Sequence, residues 1–315
     1  MISPTGALEP AAPPATSLPG RSATLALGGT RRRALDFLAL TKPRVVLMVV
    51  VTTLVGYYLG SAGDQGYLRL VHTLVGTALA AAGTLALNQF LERDVDARMV
   101  RTRGRPLPDG RLQPTEALVF GSLTTLSGVL YLALAVGVAS ALVTAVTAGL
   151  YLFAYTPLKR VTPLCMVLGA VPGALPPVTG WVAARGDLGI GAWVLFSILF
   201  LWQLPHTLAI ARLYREDYAR AGIRVLPVVD PQGASTERQI VAGCLALHAV
   251  GLLPTLVGLA GPLYFFGALT LGAVFLACGM AQAVAPSALA ARRLVLASVV
   301  YLPMLLALMA LDKAG

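Results

Sequence analysis

Nine apolar stretches, each about 20 residues long, dominate the chain and limit the folds that it can adopt. They lie near residues 44–61, 71–91, 116–136, 139–156, 163–183, 190–211, 239–258, 262–283 and 292–311. Each is long enough to cross the hydrocarbon core of a bilayer as a helix. Only 12% of the residues are charged, about half the usual share in soluble domains. The sequence therefore predicts an all-α, multi-pass membrane protein with nine transmembrane helices.

The N-terminal segment differs from the rest of the chain. Pro and Ala dominate residues 9–19, three arginines follow at 31–33, and no apolar run precedes them. This composition is typical of a disordered cytoplasmic tail rather than a secretory signal. We predict a tail over residues 1–35 and a membrane domain over 36–315. A mitochondrial transit peptide is the alternative, because the segment is poor in acidic residues.

Basic residues are distributed unevenly between the two faces that nine crossings create. Of the 24 basic residues, 21 fall on the face of the N-terminus: six up to Arg44, six from Arg93 to Arg111, two at Lys159 and Arg160, five from Arg212 to Arg238, and two at Arg292 and Arg293. Cytoplasmic loops carry such an excess. The N-terminus is predicted to be cytoplasmic and the C-terminus outside, and loops between apolar spans are not a nucleic-acid site.

Polar residues end the second apolar stretch in a regular pattern. Asn88, Glu92 and Asp96 are spaced four residues apart, so a helix that continues through them presents all three on one face. Such oxygen ligands suit Mg²⁺, which binds one or two carboxylates together with waters and substrate phosphates. Ionisable residues at the end of an apolar helix are costly without a role. Asp94 points off this face.

We call Asn88, Glu92 and Asp96 the stripe. Arginines follow it along the chain and supply the complementary positive charge. Arg101, Arg103 and Arg105 lie just beyond Asp96, and guanidinium groups bind phosphate oxygens in pairs. Together with magnesium they would stabilise a departing diphosphate. Taken alone, the arginines are more typical of a solvated cytoplasmic loop than of a diphosphate site.

A second charged cluster follows the sixth apolar stretch, after Trp202 and His206. Glu216 and Asp217 fall on the same predicted membrane face as Glu92 and Asp96. Two acidic clusters at one mouth suggest two metal ions held between them.

These motifs resemble the UbiA-type intramembrane prenyltransferases, and more narrowly the branch of that family that acts on haem. The resemblance rests on Asn88/Glu92/Asp96 with Arg101–Leu107, and on the runs Leu40–Arg44, Tyr155–Arg160, Pro176–Trp181, Trp202–His206 and Glu216–Gly222. The runs occur in order from about residue 36 to the C-terminus. The resemblance implies nine helices around a central cavity in a bacterial inner membrane, with diphosphate and Mg²⁺ at the cytoplasmic mouth.

The resemblance also implies a reaction. Farnesyl diphosphate ionises, its allylic carbon adds to a vinyl group of haem B, and water supplies a hydroxyl, which yields haem O for a downstream haem A synthase or terminal oxidase assembly. The implied roles are metal binding by Asn88, Glu92, Asp96, Glu216 and Asp217, diphosphate binding by Arg101, Arg105 and Lys159, and haem contact by Trp202 and His206.

Two residues depart from the family pattern, and rival functions remain. Glu92 stands where many relatives have Asp, and Cys165 where close relatives usually have Asn, so Cys165 is given no polar role. His206 is either a haem ligand or a hydrogen-bonded helix residue beside Pro205.

A quinone precursor or another aromatic ring is the alternative acceptor. A transporter is disfavoured because its charges are expected near the bilayer midplane.

The topology is tested with reporter fusions. A reporter after Gly315 is expected outside the cytoplasm and one near Pro108 inside it, because of the skewed basic residues. Compartment-specific reporter activity measures both. Two reporters on one side would contradict nine crossings.

Overall fold

A computed structural model describes residues 19–62 and 66–314, with the backbone alone for 19–29. Within this part of the chain, nine helices are long and apolar enough to span a membrane. They are Pro43–Gly60, Tyr67–Asp96, Pro114–Ala135, Val138–Leu158, Cys165–Arg185, Ile190–Leu213, Ala234–Leu256, Pro262–Val284 and Ala288–Leu311. We call them the first to ninth spans. The predicted all-α architecture and its nine spans are confirmed.

The second span is longer than its apolar stretch. It begins at Tyr67 and continues without a break to Asp96, over 30 residues. The predicted boundary near residue 91 follows hydropathy, whereas the backbone remains helical as far as Asp96. The helix therefore carries the polar stripe beyond the apolar core.

Two spans contain irregular turns, both at positions that matter for the site. The fourth span is α-helical over Val138–Gly149 and then forms a π-helical turn over Leu150–Tyr155 before Thr156–Leu158. The fifth is divided into Cys165–Ala174 and Pro176–Arg185. The paired prolines Pro176 and Pro177 lack N–H donors and so begin the second half as a new helix.

The N-terminal helix precedes the first span. It covers Pro19–Leu40 and runs across the boundary predicted at residue 35, which is therefore not a break in the backbone. The Ala, Leu and Arg residues that fill this segment are strong helix formers. The predicted disordered tail otherwise concerns residues 1–18, which lie outside the described residues.

Shorter helices complete the face on which the second span ends. Arg215–Arg220 and Leu226–Val229 lie between the sixth and seventh spans. The seventh span itself is α-helical over Ala234–Val250 and ends in the turn Leu253–Leu256. We call this face of the bundle the basic face.

The first and ninth spans meet at the opposite face. The Lys313 ammonium donates to the carbonyl oxygens of Tyr58 at 2.7 Å and Ser61 at 2.6 Å. These bonds join the C-terminal end of the chain to the end of the first span. The first and last spans are thereby held together at that face.

Glycines set the separation between the first and fifth spans. A Cβ atom at Gly180 would lie 2.0 Å from the Thr53 carbonyl oxygen, and one at Gly56 would lie 2.0 Å from that of Pro177. No side chain fits into such gaps, so the two backbones touch directly. Close approach through small residues is the usual means of helix association in membranes.

Replacing Gly180 by Ala is expected to destabilise the bundle. The added methyl group overlaps the Thr53 carbonyl, and overpacking of this kind costs about 1–3 kcal/mol. The midpoint of thermal unfolding in detergent should fall. Gly149→Ala is the matched control, since no atom lies within 4 Å of its Cβ position. Equal midpoints for the two variants would contradict the packing argument.

Candidate active site

The polar stripe lies on one face of the second span, as predicted. Asn88, Glu92 and Asp96 are consecutive turns of one continuous helix. Asn88 and Asp96 are fully buried, and Glu92 is half-buried. Three oxygen-bearing side chains therefore point into the bundle at the basic face.

Each of these side chains contacts a different cation. The three pairs are Lys42 Nζ with Asn88 Oδ1 at 2.9 Å, Lys159 Nζ with Glu92 Oε1 at 2.7 Å, and Arg105 Nη1 with Asp96 Oδ2 at 2.5 Å. The cations come from three separate parts of the chain. The predicted residues Lys159 and Arg105 thus join the stripe, and Lys42 joins them although the sequence assigned it no role.

An unusual backbone conformation positions Lys42. It is the one non-glycine residue with positive φ in the described chain (φ 49°, ψ 67°), a conformation that is uncommon for lysine. The Gln89 amide donates to the carbonyls of Ala39 and Leu40 at 3.1 and 2.9 Å, which fixes the preceding turn against the second span. Burial and the nearby Arg105 lower the pKa of Lys42 to about 7.

The π-helical turn positions Lys159. Its ammonium lies 4.2 Å from the centroid of the Tyr155 ring as well as against Glu92. Burial opposes the charged form, but Tyr155 and Glu92 outweigh it and hold the pKa of Lys159 well above its ordinary value. π-Helical turns occur often at functional sites. The turn also brings the Thr156 hydroxyl within 3.2 Å of the Asn88 amide nitrogen, which donates to it.

The loop after Asp96 carries Arg105 and is held by the second acidic cluster. The Asp217 carboxylate accepts the backbone N–H groups of Val100 and Arg101, each at 3.3 Å. Glu216 is exposed. Asp217 therefore braces the loop that follows the stripe.

The arginine at position 101 faces away from the stripe. Its guanidinium lies over the Tyr214 ring, 5.3 Å from the centroid. Among the described residues, no group of three His, Cys, Asp or Glu side chains is close enough to hold a metal ion. The carboxylates of the stripe and those of Glu216 and Asp217 therefore do not form one compact ligand set.

An apolar chamber adjoins the charged site. It has a volume of about 130 Å³ and is lined by Val49, Ala81, Leu85, Thr147 and Tyr151, among others. Leu85 lies one turn before Asn88 on the second span, and Tyr151 lies in the π-helical turn beside Tyr155, with the two rings 5.3 Å apart. The chamber and the charges thus share walls, which suits a ligand with a polar head and an apolar chain.

Trp202 and His206 form a separate cluster with the ninth span. Their rings stack with centroids 4.7 Å apart. The His206 Nδ1 atom lies 2.6 Å from the Ser298 hydroxyl, and the Trp202 indole donates to the Ser298 carbonyl at 2.8 Å. In the described chain, no hydrogen bond or ring contact joins this pair to the stripe.

Several neighbours of the site were not identified from the sequence. Tyr151, Thr156 and Ser298 each lie in apolar stretches, where a single hydroxyl gives no periodic signal. Of these residues, Lys42 had the clearest signal in the sequence. A lysine directly before Pro43, at the start of a span, is costly there without a functional role. Cys165 is fully buried in an apolar cluster that includes Val95 and Met99.

The residues of the stripe fit a magnesium ion. Two carboxylates and one amide oxygen are hard donors, and their number leaves coordination positions for water and phosphate. Each donor is already paired with a cationic group. The site thus attracts positive charge at the three atoms that a metal would use.

The chain is similar in sequence to proteins of one family. The model of the UbiA prenyltransferase family matches residues 49–310. A protein named protoheme IX farnesyltransferase from Solibacter usitatus is 48% identical over 289 residues, which cover 89% of this chain and 99% of the relative. The protein of that name from Aquifex aeolicus is 42% identical over 243 residues, covering 76% of this chain and 82% of the relative.

Solved structures share the fold at low sequence identity. A digeranylgeranylglyceryl phosphate synthase superposes with a TM-score of 0.75 at 16% identity, covering 89% of this chain and 98% of the other. A UbiA homologue from Archaeoglobus fulgidus bound to GPP and Mg²⁺ gives 0.61 at 16% identity, with 87% and 99% covered. The family model matches most of the chain, and the protoheme IX farnesyltransferases are up to 48% identical to it. The chain therefore belongs to the UbiA prenyltransferase family.

Proposed function

We propose that the protein transfers the farnesyl group of farnesyl diphosphate to a vinyl group of haem B, with addition of water, to give haem O and diphosphate. The observation that carries this proposal is the 48% identity to a protoheme IX farnesyltransferase, over 99% of that relative. The same name recurs among relatives at 39–44% identity that cover most of the chain.

The charged site and the chamber support binding of a prenyl diphosphate. Lys42, Lys159 and Arg105 place three cations within reach of a diphosphate at the basic face. The apolar chamber beside Tyr151 would hold the prenyl chain of the substrate. Binding the two ends in adjoining compartments orients the allylic carbon at the boundary between them.

We assign the metal to the stripe and a second ion to the other acidic cluster. Asn88, Glu92 and Asp96 would hold one Mg²⁺, and Glu216 and Asp217 would hold the second ion. When bound, magnesium neutralises charge on the departing diphosphate. The archaeal homologue with GPP and Mg²⁺ supports use of a divalent ion. Arg101 contributes to the diphosphate end once it leaves the Tyr214 ring.

The haem contacts are assigned to Trp202 and His206. The Ser298 hydroxyl donates its one proton to the Val295 carbonyl at 2.6 Å, so its oxygen accepts from Nδ1–H of His206 at 2.6 Å. The second ring nitrogen, Nε2, then carries a free lone pair. Histidines that bind metal commonly donate their other N–H in this way, and stacking on Trp202 fixes the ring plane.

The expected location is a bacterial cytoplasmic membrane. The nine spans require a bilayer, and the relatives are bacterial. A cytoplasmic N-terminus places the charged site at the cytoplasmic face. The product would pass to a haem A synthase or a terminal oxidase assembly.

Asp96→Asn tests the metal assignment. The amide still accepts from Arg105, but the lost carboxylate removes about 2.7 kcal/mol of metal-dependent stabilisation, which corresponds to about 100-fold in turnover. Steady-state turnover with Mg²⁺, farnesyl diphosphate and haem B measures the loss. Asp94→Asn is the matched control. This exposed carboxylate lies outside the stripe, and its ion pair with Arg93 is long, at 3.9 Å. Comparable activity in the two variants would refute the stripe as the metal site.

The acceptor is tested with purified protein in detergent. Haem B should change its Soret absorption on binding, and a product heavier by one farnesyl group and one hydroxyl group should appear by mass spectrometry. His206→Ala should shift or weaken the Soret change because the Nε2 ligand is lost. His72→Ala is the control, since that ring pairs with Tyr131 on other spans. Prenylation of an aromatic acid without any reaction of haem would establish the quinone-precursor alternative.

A further inference from the structure

The pairing of the stripe has a consequence for the order and strength of binding. All three oxygen-bearing side chains that would hold the metal are already hydrogen-bonded to cations, and the same cations are the groups that would hold the diphosphate. The two binding sites are therefore satisfied by each other when no substrate is present.

The pairs are shielded from water, which makes them strong. The side chains of Lys159 and Glu92 are 16% and 13% exposed, and those of Arg105 and Asp96 are 25% and 2% exposed. Charges in such surroundings are screened far less than surface pairs. A metal ion arriving alone has to displace an ammonium or guanidinium group from its carboxylate, and a diphosphate arriving alone has to draw the cation away from it.

The charge of the cluster favours binding of both ligands together. When Lys42 is protonated, three cations against two carboxylates leave one net positive charge. Mg²⁺ alone raises this excess, whereas a prenyl diphosphate alone, with about three negative charges, reverses it. Both ligands together leave the cluster close to neutral. Because net charge in a buried site is costly, the neutral combination is the stable one.

We propose that substrate binding exchanges the partners of these pairs. The cations Lys42, Lys159 and Arg105 pass from the stripe to diphosphate oxygens, while Mg²⁺ takes their place on Asn88, Glu92 and Asp96. The exchange makes Mg²⁺ and prenyl diphosphate binding strongly cooperative. The inference rests on the metal site of the proposed function but not on the acceptor.

The cations are placed to make this movement. Lys42 lies between the N-terminal helix and the first span, Lys159 follows the last turn of the fourth span, and Arg105 lies in the loop after the second span. Lysine carries its charge on a flexible stem with rotatable donors. The exchange therefore needs rotation of side chains and no shift of the spans.

The exchange predicts that removing a cation strengthens binding of a metal ion added alone. We would titrate the full-length protein in detergent with Mn²⁺, as a stand-in for Mg²⁺, and measure free Mn²⁺ by electron paramagnetic resonance. Lys159→Gln and Arg105→Gln each free one carboxylate. Both should bind Mn²⁺ about fivefold or more tightly than the unchanged protein, within the usual range of coupling between sites.

A matched control separates pairing from net charge. Arg98→Gln removes the same charge from the same loop, but Arg98 is exposed and forms no ion pair among the described residues. Its Mn²⁺ affinity should change by less than about twofold. Lys159→Arg keeps a cation beside Glu92 and should resemble the unchanged protein. Thermal unfolding of each variant verifies that it is folded.

A second titration measures the cooperativity itself. Saturating farnesyl thiodiphosphate, an unreactive analogue, should tighten Mn²⁺ binding to the unchanged protein, after correction for the complex that the two form in solution. The factor should be smaller in Lys159→Gln, because one pair no longer has to be broken. By linkage, Mn²⁺ should tighten analogue binding by the same factor.

The outcomes distinguish the exchange from the proposed function. Equal tightening of Mn²⁺ binding in all three Gln variants, or weaker binding in Lys159→Gln and Arg105→Gln, would overturn the exchange. If Asp96→Asn leaves Mn²⁺ binding unchanged, the metal site itself is wrong. No haem enters these titrations, so a wrong acceptor would leave their result unaffected.

Discussion

Backbone hydrogen bonding in a medium without water is the constraint on which this structure depends. A span in hydrocarbon has to satisfy its N–H and C=O groups internally, so the chain crosses as helices. Charged side chains are then confined to the helix ends. The second span shows both effects, since its apolar turns lie in the bundle while Glu92 and Asp96 emerge at the basic face. The charges of the stripe therefore lie at the end of the span and not along its apolar turns.

Close helix packing turns this constraint into a defined site. Without a hydrophobic driving force between helices, association depends on van der Waals contact and interhelical hydrogen bonds. Gly56 and Gly180 allow the first and fifth spans to touch through their backbones. The chamber beside Tyr151 remains between neighbouring spans and adjoins the turn of the second span that precedes the stripe. Packing thus positions an apolar compartment and a charged one side by side.

Buried charge has to be balanced, and the substrate-free site balances it internally. The Lys159–Glu92 and Arg105–Asp96 pairs satisfy charges that would otherwise be left unpaired at great cost. The same groups are complementary to a magnesium diphosphate. In the exchange that we propose, the ligands replace these internal counter-ions. The strained backbone of Lys42 is consistent with this, because strain tends to persist where function requires it.

The sequence by itself determined the nine spans and the common face of Asn88, Glu92 and Asp96, because hydropathy and helical periodicity are local properties. Tertiary structure decided which groups meet. Lys159 and Glu92 are 67 residues apart, and His206 and Ser298 are 92 apart; no local pattern encodes either contact. Asp217 accepts the backbone N–H groups of Val100 and Arg101, 117 and 116 residues away along the chain, and its charge alone does not reveal this contact. Such contacts depend on how the spans pack, and packing is fixed by long-range shape complementarity that periodicity does not contain.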